Sequence, residues 1–249
     1  MAKVNELPIN QVVCGDCREV MSEWPEGCVD LILADPPYNI SSDTVIIRRG
    51  GKFGVAQPIN LDFGDWDHGV IKPEDWVPLA VQKLKPCGVF VSLYDKRYIS
   101  HVCDLLEELG LTIRHVAGWH KQNPAPQARK VKWQNALELF VIATKNKGTG
   151  HHYNYKEGQH HDVITTPICQ GNERLDHPTQ KPEALIEPIV KWWSFEGDLV
   201  VDPFLGVGTT AVVCKRLNRR WIGIELSEKN CEMARKRLAK VEWPLEAWS

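Results

Sequence analysis

Residues 29–40 read VDLILADPPYNI, an apolar run that stops on a carboxylate, two prolines and a tyrosine. A short, continuously apolar run is how a strand covered on both faces reads, and such strands belong to parallel sheets. Proline removes an amide donor and fixes φ, so the strand has to end where Pro36 and Pro37 stand. Keeping Asp35 and Tyr38 at that stop presents an acid and a ring to something outside the sheet.

Six further strands are expected at 11–14, 88–93, 112–118, 136–143, 199–201 and 221–224, several of them apolar throughout. Helices are expected between them. The clearest is 96–109, with Ile99, Val102, Leu105, Leu106 and Leu109 on one face and Gly110 as its stop. Two more are expected at 209–217 and 228–241. The alternation predicts an α/β fold, a mixed, mostly parallel seven-stranded sheet with helices on both faces. No helix separates 112–118 from 136–143, so these two are expected as antiparallel neighbours at a sheet edge. Stretches 41–69 and 145–176 carry little apolar periodicity and are expected as loop excursions.

The 249 residues, 43% hydrophobic, suit one domain with a sizeable core. A net charge of -2 does not advertise a nucleic-acid binder, but a local basic face can bind phosphates on an acidic protein. No apolar run approaches the roughly 20 residues that span a bilayer, and MAKVNELPIN lacks the features of a signal peptide. A cytoplasmic protein without a membrane partner is expected. The eight cysteines are then expected as thiols. Cys14 and Cys17 have C-x-x-C spacing without a matching second pair, so no metal is expected.

Four expected strands end on or beside an acid: Asp16, Asp35, Asp202 and Glu225. Each taken alone reads equally well as a helix N-cap or first-turn acid. Four at one end of a sheet point to a shared site, because ligands of open parallel sheets collect outside the carboxyl ends of the strands. The stretch VVDPFLGVGTTA at 200–211 adds Gly206 and Gly208, which with Ala211 satisfy G-x-G-x-x-G/A. That match alone would also suit a nicotinamide-dependent oxidoreductase. Too little chain follows the turn for the two-halved dinucleotide fold, and Asp202, Pro203 and Phe204 suit an adenosine lacking phosphates.

DPPY at 35–38 combined with DPFLGVGTT at 202–210 resembles the DNA amino-methyltransferases, which use S-adenosylmethionine to modify exocyclic base nitrogens. With the DPPY half first and the glycine half last, the order resembles the β class. Three more blocks are similar to that class: GDC at 15–17, HPTQKP at 177–182, and the segment from Trp119 that reads W-x-K-x-N-x-x-P and later N-x-x-E. The resemblance spans essentially the whole chain. It implies a Rossmann-like methyltransferase fold with circularly permuted motifs in a single domain, 1–249. In it 11–144 is the catalytic half, 41–69 a loop excursion near DNA, 145–176 a short target-recognition region and 177–241 the cofactor half. Asp before Pro-Pro-Tyr usually accompanies adenine N6 in this family, while Ser commonly accompanies cytosine N4. The implied activity is site-specific methylation of adenine N6, with cytosine N4 as the alternative. A DNA-binding protein that has lost catalysis is disfavoured by the intact Asp35 and Tyr38.

The resemblance also assigns roles. Asp35 and the Pro36 carbonyl would each accept one hydrogen of the amine, and the stiff Pro36-Pro37 backbone would hold that geometry. A base inside a duplex cannot reach such a site, so it must flip out, and Tyr38 would stack on it. Cofactor contacts are implied for Asp16 and Cys17, for Asp35, for His177, Thr179 and Lys181, and for Asp202, Phe204, Gly206, Gly208, Thr209, Glu225 and Ser227. Lys181 also reads as a solvated charge, and Ser227 as an N-cap for the last helix. Double-stranded DNA is the implied partner, gripped by Arg48, Arg49, Lys52, Lys121, Asn123, Arg129, Lys130 and Lys132, with Trp133 nearby. The histidine-rich stretch 151–161 falls where the family carries target recognition. Family habit extends the implied partners to a homodimer and a companion restriction endonuclease.

Overall fold

The apolar run at 29–34 forms strand β2 (Val29–Ala34), all six residues of which are buried. The computed structural model describes residues 7–37, 71–126, 133–145, 153–175 and 179–242, together with the backbone of 45–47 and 58–60. β1 (Gln11–Cys14) and α1 (Cys17–Ser22) precede β2, and β3 (Val45–Ile47) and β4 (Pro58–Asn60) follow it as a separate antiparallel pair. Next come α2 (Pro73–Lys83), β5 (Leu84–Tyr94), α3 (Ile99–Glu108), β6 (Thr112–Lys121), β7 (Leu137–Thr144) and β8 (Val163–Thr166). The chain closes with α4 (Glu183–Trp193), β9 (Leu199–Asp202), α5 (Thr209–Arg216), β10 (Arg220–Glu225) and α6 (Glu228–Leu238).

The main sheet has eight strands in the order β1-β10-β9-β2-β5-β7-β6-β8. Among its described strands β7 alone runs against its neighbours, β5 and β6. The expected count of seven is therefore one short. β8 lies inside 145–176, where no regular structure was expected, and pairs parallel with β6. Its sequence, VITT, is short and alternates exposed with buried residues, so it leaves no apolar run to read. The Trp119 indole donates to the Thr166 hydroxyl at 2.7 Å and helps pin β8 to β6. β6 and β7 are antiparallel as expected, but β8 and not β6 forms the sheet edge.

Alternate residues of the central strands feed two cores, as the period of a strand requires. Leu31, Leu33, Val89 and Val91 pack with Leu185, Ile189, Val212 and Ala234 from α4, α5 and α6. Ile32, Ala34 and Phe90 pack with Met21, Trp76, Val77, Val102 and Leu106 from α1, α2 and α3. α2 starts at Pro73, where a missing amide donor costs nothing, and the Asp75 carboxylate accepts from the Lys72 amide at 2.8 Å. The buried Asp30 ties the centre of the sheet together. It accepts from Lys85 at 2.8 Å and from the Leu199 amide at 2.9 Å, linking β2 to β5 and β9.

β2 and β9 are parallel neighbours, with Leu31 opposite Val200 and Ile32 opposite Val201. The helix after β9 covers one face, whereas the next helix described after β2 covers the other. Their carboxyl ends thus flank a topological switch point, where a crevice opens.

Candidate active site

At that crevice the ends of β1, β10, β9 and β2 stand side by side, and each carries an acid into one cavity of about 390 Å³. Asp16, Asp35, Asp202 and Glu225 all line it. The common direction of four adjacent parallel strands makes this happen, since it puts every strand exit on the same edge of the sheet.

Asp202 is the most buried of the four, at 6% exposure. Burial pushes its carboxyl up to about 7, with the neighbouring Asp35 and Glu225 charges adding to the rise, although the Phe204 amide donates to it at 2.9 Å. Glu225 is held by three donors: the Gly206 amide at 2.9 Å, the Ser227 amide at 2.9 Å and the Asn230 side chain at 3.2 Å. Asp16 caps α1 by accepting from the Arg18 amide, and the Arg18 guanidinium beside it holds its carboxyl below the usual range. Between these acids the Phe204 ring forms part of the wall, set edge-on against Trp76 at 5.0 Å. Four acids against the two cations Arg18 and Lys181, with the Phe204 ring, make a lining of net negative charge that fits a cationic, aromatic ligand better than a pyrophosphate.

The remaining expected site residues divide by position. Cys17, Pro37, Thr179, Lys181, Gly206 and Thr209 line the cavity too. Pro36, Gly208 and Ser227 are not part of its lining. Gly208 adopts a left-handed φ of 89° at the start of α5, where an added Cβ would meet that of Ala234 at 3.0 Å. Ser227 caps α6, its hydroxyl accepting from the Asn230 amide. Thr209 accepts from Arg237 at 3.0 Å and donates to the Lys181 carbonyl at 3.1 Å, so its hydroxyl holds the wall together. Tyr38 and His177 lie outside the described residues, as do Arg48, Arg49, Lys52, Arg129, Lys130 and Lys132.

Three of the expected polar residues are engaged within the protein. The Lys181 ammonium is turned onto Asp35, Nζ to Oδ2 at 2.5 Å, with its side chain 10% exposed. Lys121 points inward onto Glu138, its side chain 12% exposed, with the ammonium 5.0 Å from the Trp119 ring centre. Asn123 accepts from the Ile168 amide at 2.8 Å and donates to Gln170 at 3.0 Å, fastening the chain that follows β8. Of the histidine-rich stretch, His160 stacks on Trp192 of α4, with ring centres 3.7 Å apart.

Sequence reasoning gave Glu138 no role, although it ends the N-x-x-E block at 135–138. It lies near the start of the antiparallel strand β7, and therefore at the edge of the sheet where the parallel strands end. Lys181 sits between it and Asp35. Arg18 and Asn230 were missed as well; both line the cavity from the first turns of helices that follow strand-end acids.

A family model described as DNA methylase matches residues 29–236. The type II methyltransferase M2.DpnII of Streptococcus pneumoniae is 37% identical over 243 residues, covering 91% of this chain and 88% of the relative. The type II methyltransferase M.HinfI of Haemophilus influenzae is 31% identical, over 94% of this chain and 69% of the relative. Among solved structures, the M1.HpyAVI-SAM complex superposes with a TM-score of 0.70 at 28% identity, covering 92% of this chain and 99% of that one. The PvuII cytosine-N4-specific DNA methyltransferase superposes with a TM-score of 0.70 at 21% identity, over 91% and 85%, and shares the fold.

Proposed function

The chain belongs to the DNA methylase family, and from that premise we propose that it methylates the N6 amine of a flipped-out adenine in duplex DNA, with S-adenosylmethionine as donor. The observation that carries the reading is the meeting of Asp35 with Asp202 and Glu225 at one cavity. It joins the reacting carboxylate of the DPPY tetrapeptide to an anionic, aromatic pocket. Asp at position 35, where Ser commonly accompanies cytosine N4 in this family, supports adenine.

S-adenosylmethionine, when bound, supplies an electrophilic methyl group on a sulfonium. Its ammonium and sulfonium charges fit a cavity whose buried Asp202 carboxyl is pushed up by desolvation and by neighbouring carboxylates. Asp202, Phe204 and Glu225 would hold it, and Asp16 would close the adenine end. The rest of the work belongs to Asp35 and its neighbours. The adenine amine is a poor nucleophile because its lone pair is delocalised into the ring. When the Asp35 carboxylate and the Pro36 carbonyl each accept one hydrogen, the nitrogen pyramidalises and its lone pair is freed toward the cavity. The same carboxylate faces the positive charge that develops on nitrogen. Two consecutive prolines fix the φ angles that position the accepting carbonyl. Tyr38 stacks on the extruded base and offsets part of the few kcal/mol of lost stacking.

The test is nucleoside analysis of DNA methylated by the purified protein, beside the Asp35→Ala variant. N6-methyladenine from the wild type, with transfer abolished and cofactor binding retained in the variant, supports the reading. N4-methylcytosine in place of N6-methyladenine would overturn the choice of base.

A further inference from the structure

A row of four alternating charges runs along the sheet edge into the site: Lys121, Glu138, Lys181 and Asp35. Lys121 Nζ and Glu138 Oε1 are paired. Glu138 Oε2 lies 3.5 Å from Lys181 Nζ, which lies 2.5 Å from Asp35 Oδ2. The first two residues come from the adjacent strands β6 and β7, Asp35 from the end of β2, and Lys181 from the segment before α4. The side chains of Glu138 and Lys181 are 18% and 10% exposed. Burial alone would push Glu138 up, yet Lys181 and Lys121 outweigh it and hold the carboxyl below its usual range. Burial alone would likewise lower Lys181, but the Asp35 and Glu138 carboxylates outweigh it and raise the ammonium instead. Glu138 and Lys181 are thereby kept charged in a low-dielectric place.

This arrangement carries a conflict that Glu138 resolves. A lysine bound to Asp35 alone would orient the carboxylate, but would also cancel the charge that has to face the developing cation. With a second carboxylate on its other side, Lys181 is shared, and Asp35 keeps both its orientation and its net negative field. We propose that Glu138, anchored by Lys121, is a positioning residue for methyl transfer that acts through Lys181 on Asp35. This rests on Asp35 being the residue that engages the amine, and it does not depend on which base carries that amine.

Glu138→Gln keeps the shape and removes the charge. Single-turnover transfer of tritiated methyl to DNA should fall about ten- to hundred-fold, the scale of a misplaced reacting group. The dissociation constant for S-adenosylhomocysteine should stay within about three-fold by calorimetry, as expected for a loss confined to the transition state. Lys181→Met should lower the rate as well. The double variant should lose much less than the product of the two single losses, because removing Lys181 also removes the cation that Glu138 was balancing. A rate unchanged in Glu138→Gln, multiplicative losses in the double variant, or a loss confined to cofactor affinity would each overturn the proposal. Should Glu138→Gln fail to fold, as judged by circular dichroism, Lys121→Met carries the test. It should lower the transfer rate with cofactor affinity unchanged, and an unchanged rate would overturn the proposal. Tritium counts both methylated bases equally, so a wild type that makes N4-methylcytosine defeats the adenine reading and leaves this comparison intact.

Discussion

Gly223 lies directly beneath Leu205: a Cβ added at Gly223 would come 2.4 Å from one Leu205 methyl and 2.6 Å from the other. Gly223 is on β10, and Leu205 sits in the turn between β9 and α5 whose residues wall the cavity. The Leu205 amide also donates to the Ile224 carbonyl at 2.8 Å, so the turn is pressed flat on the neighbouring strand. Gly223→Ala should therefore lift this turn. We expect a loss of about 1–3 kcal/mol in stability, the usual cost of overpacking, and weaker binding of S-adenosylhomocysteine in calorimetry. A variant with unaltered affinity would show that the turn tolerates displacement.

Cofactor binding should be linked to a proton through Asp202. Its carboxyl is pushed up to about 7 from an ordinary value of 3.8. Below that pH the folded protein without ligand holds this proton, and a cationic ligand group has to displace it. Affinity for S-adenosylmethionine should thus weaken as pH falls below about 7, approaching ten-fold per unit, and Asp202→Asn should flatten the profile. Calorimetry in buffers of different ionisation enthalpy would detect the released proton. For folding the sign is opposite. A raised carboxyl contributes stability that is fully present below the unfolded value of 3.8 and is lost as pH rises toward about 7.

Gly208 should prove structural and not a ligand contact. With φ at 89° and Ala234 at 3.0 Å from an added Cβ, Gly208→Ala meets both backbone strain and a helix–helix clash. Ala234→Gly removes the clash and leaves the strain. Thermal unfolding should show Gly208→Ala strongly destabilised, and the double variant recovering only part of the loss relative to Ala234→Gly.

Salt titrations should separate the basic residues. Lys121 is engaged with Glu138, so Lys121→Met should leave the slope of log affinity for DNA against log salt unchanged. Lys130 belongs to the run at 129–132 expected to touch phosphates, and Lys130→Ala should reduce that slope by roughly 0.9. Equal effects from both would contradict the inward role of Lys121.

Much of the site was legible because its elements advertise themselves locally. Asp16, Asp35, Asp202 and Glu225 each follow an apolar run, and parallel strands with a common exit turn that local pattern into a shared cavity. β8 was not legible, because four alternating residues bury too little to leave an apolar run. Nor were α1, α2 and α4 singled out. α4 carries Pro188 inside it, and α1 has only six residues. Their helicity follows from packing against the sheet more than from propensity.

Which strands are buried, where they stop, and which chemical groups stand at the stops are all written locally in the chain. Hydrophobic period and proline chemistry act within a few residues, so they can be read locally. What those groups do to one another depends on the assembled fold. Lys181 is 146 positions from Asp35 along the chain, yet its ammonium rests on that carboxylate. Lys121 faces a carboxylate in the interior where its surroundings in sequence suggested phosphate. The reason is electrostatic. A charge brought out of water must find an opposite charge or neutralise, and which partner it finds depends on strand order that no local stretch encodes.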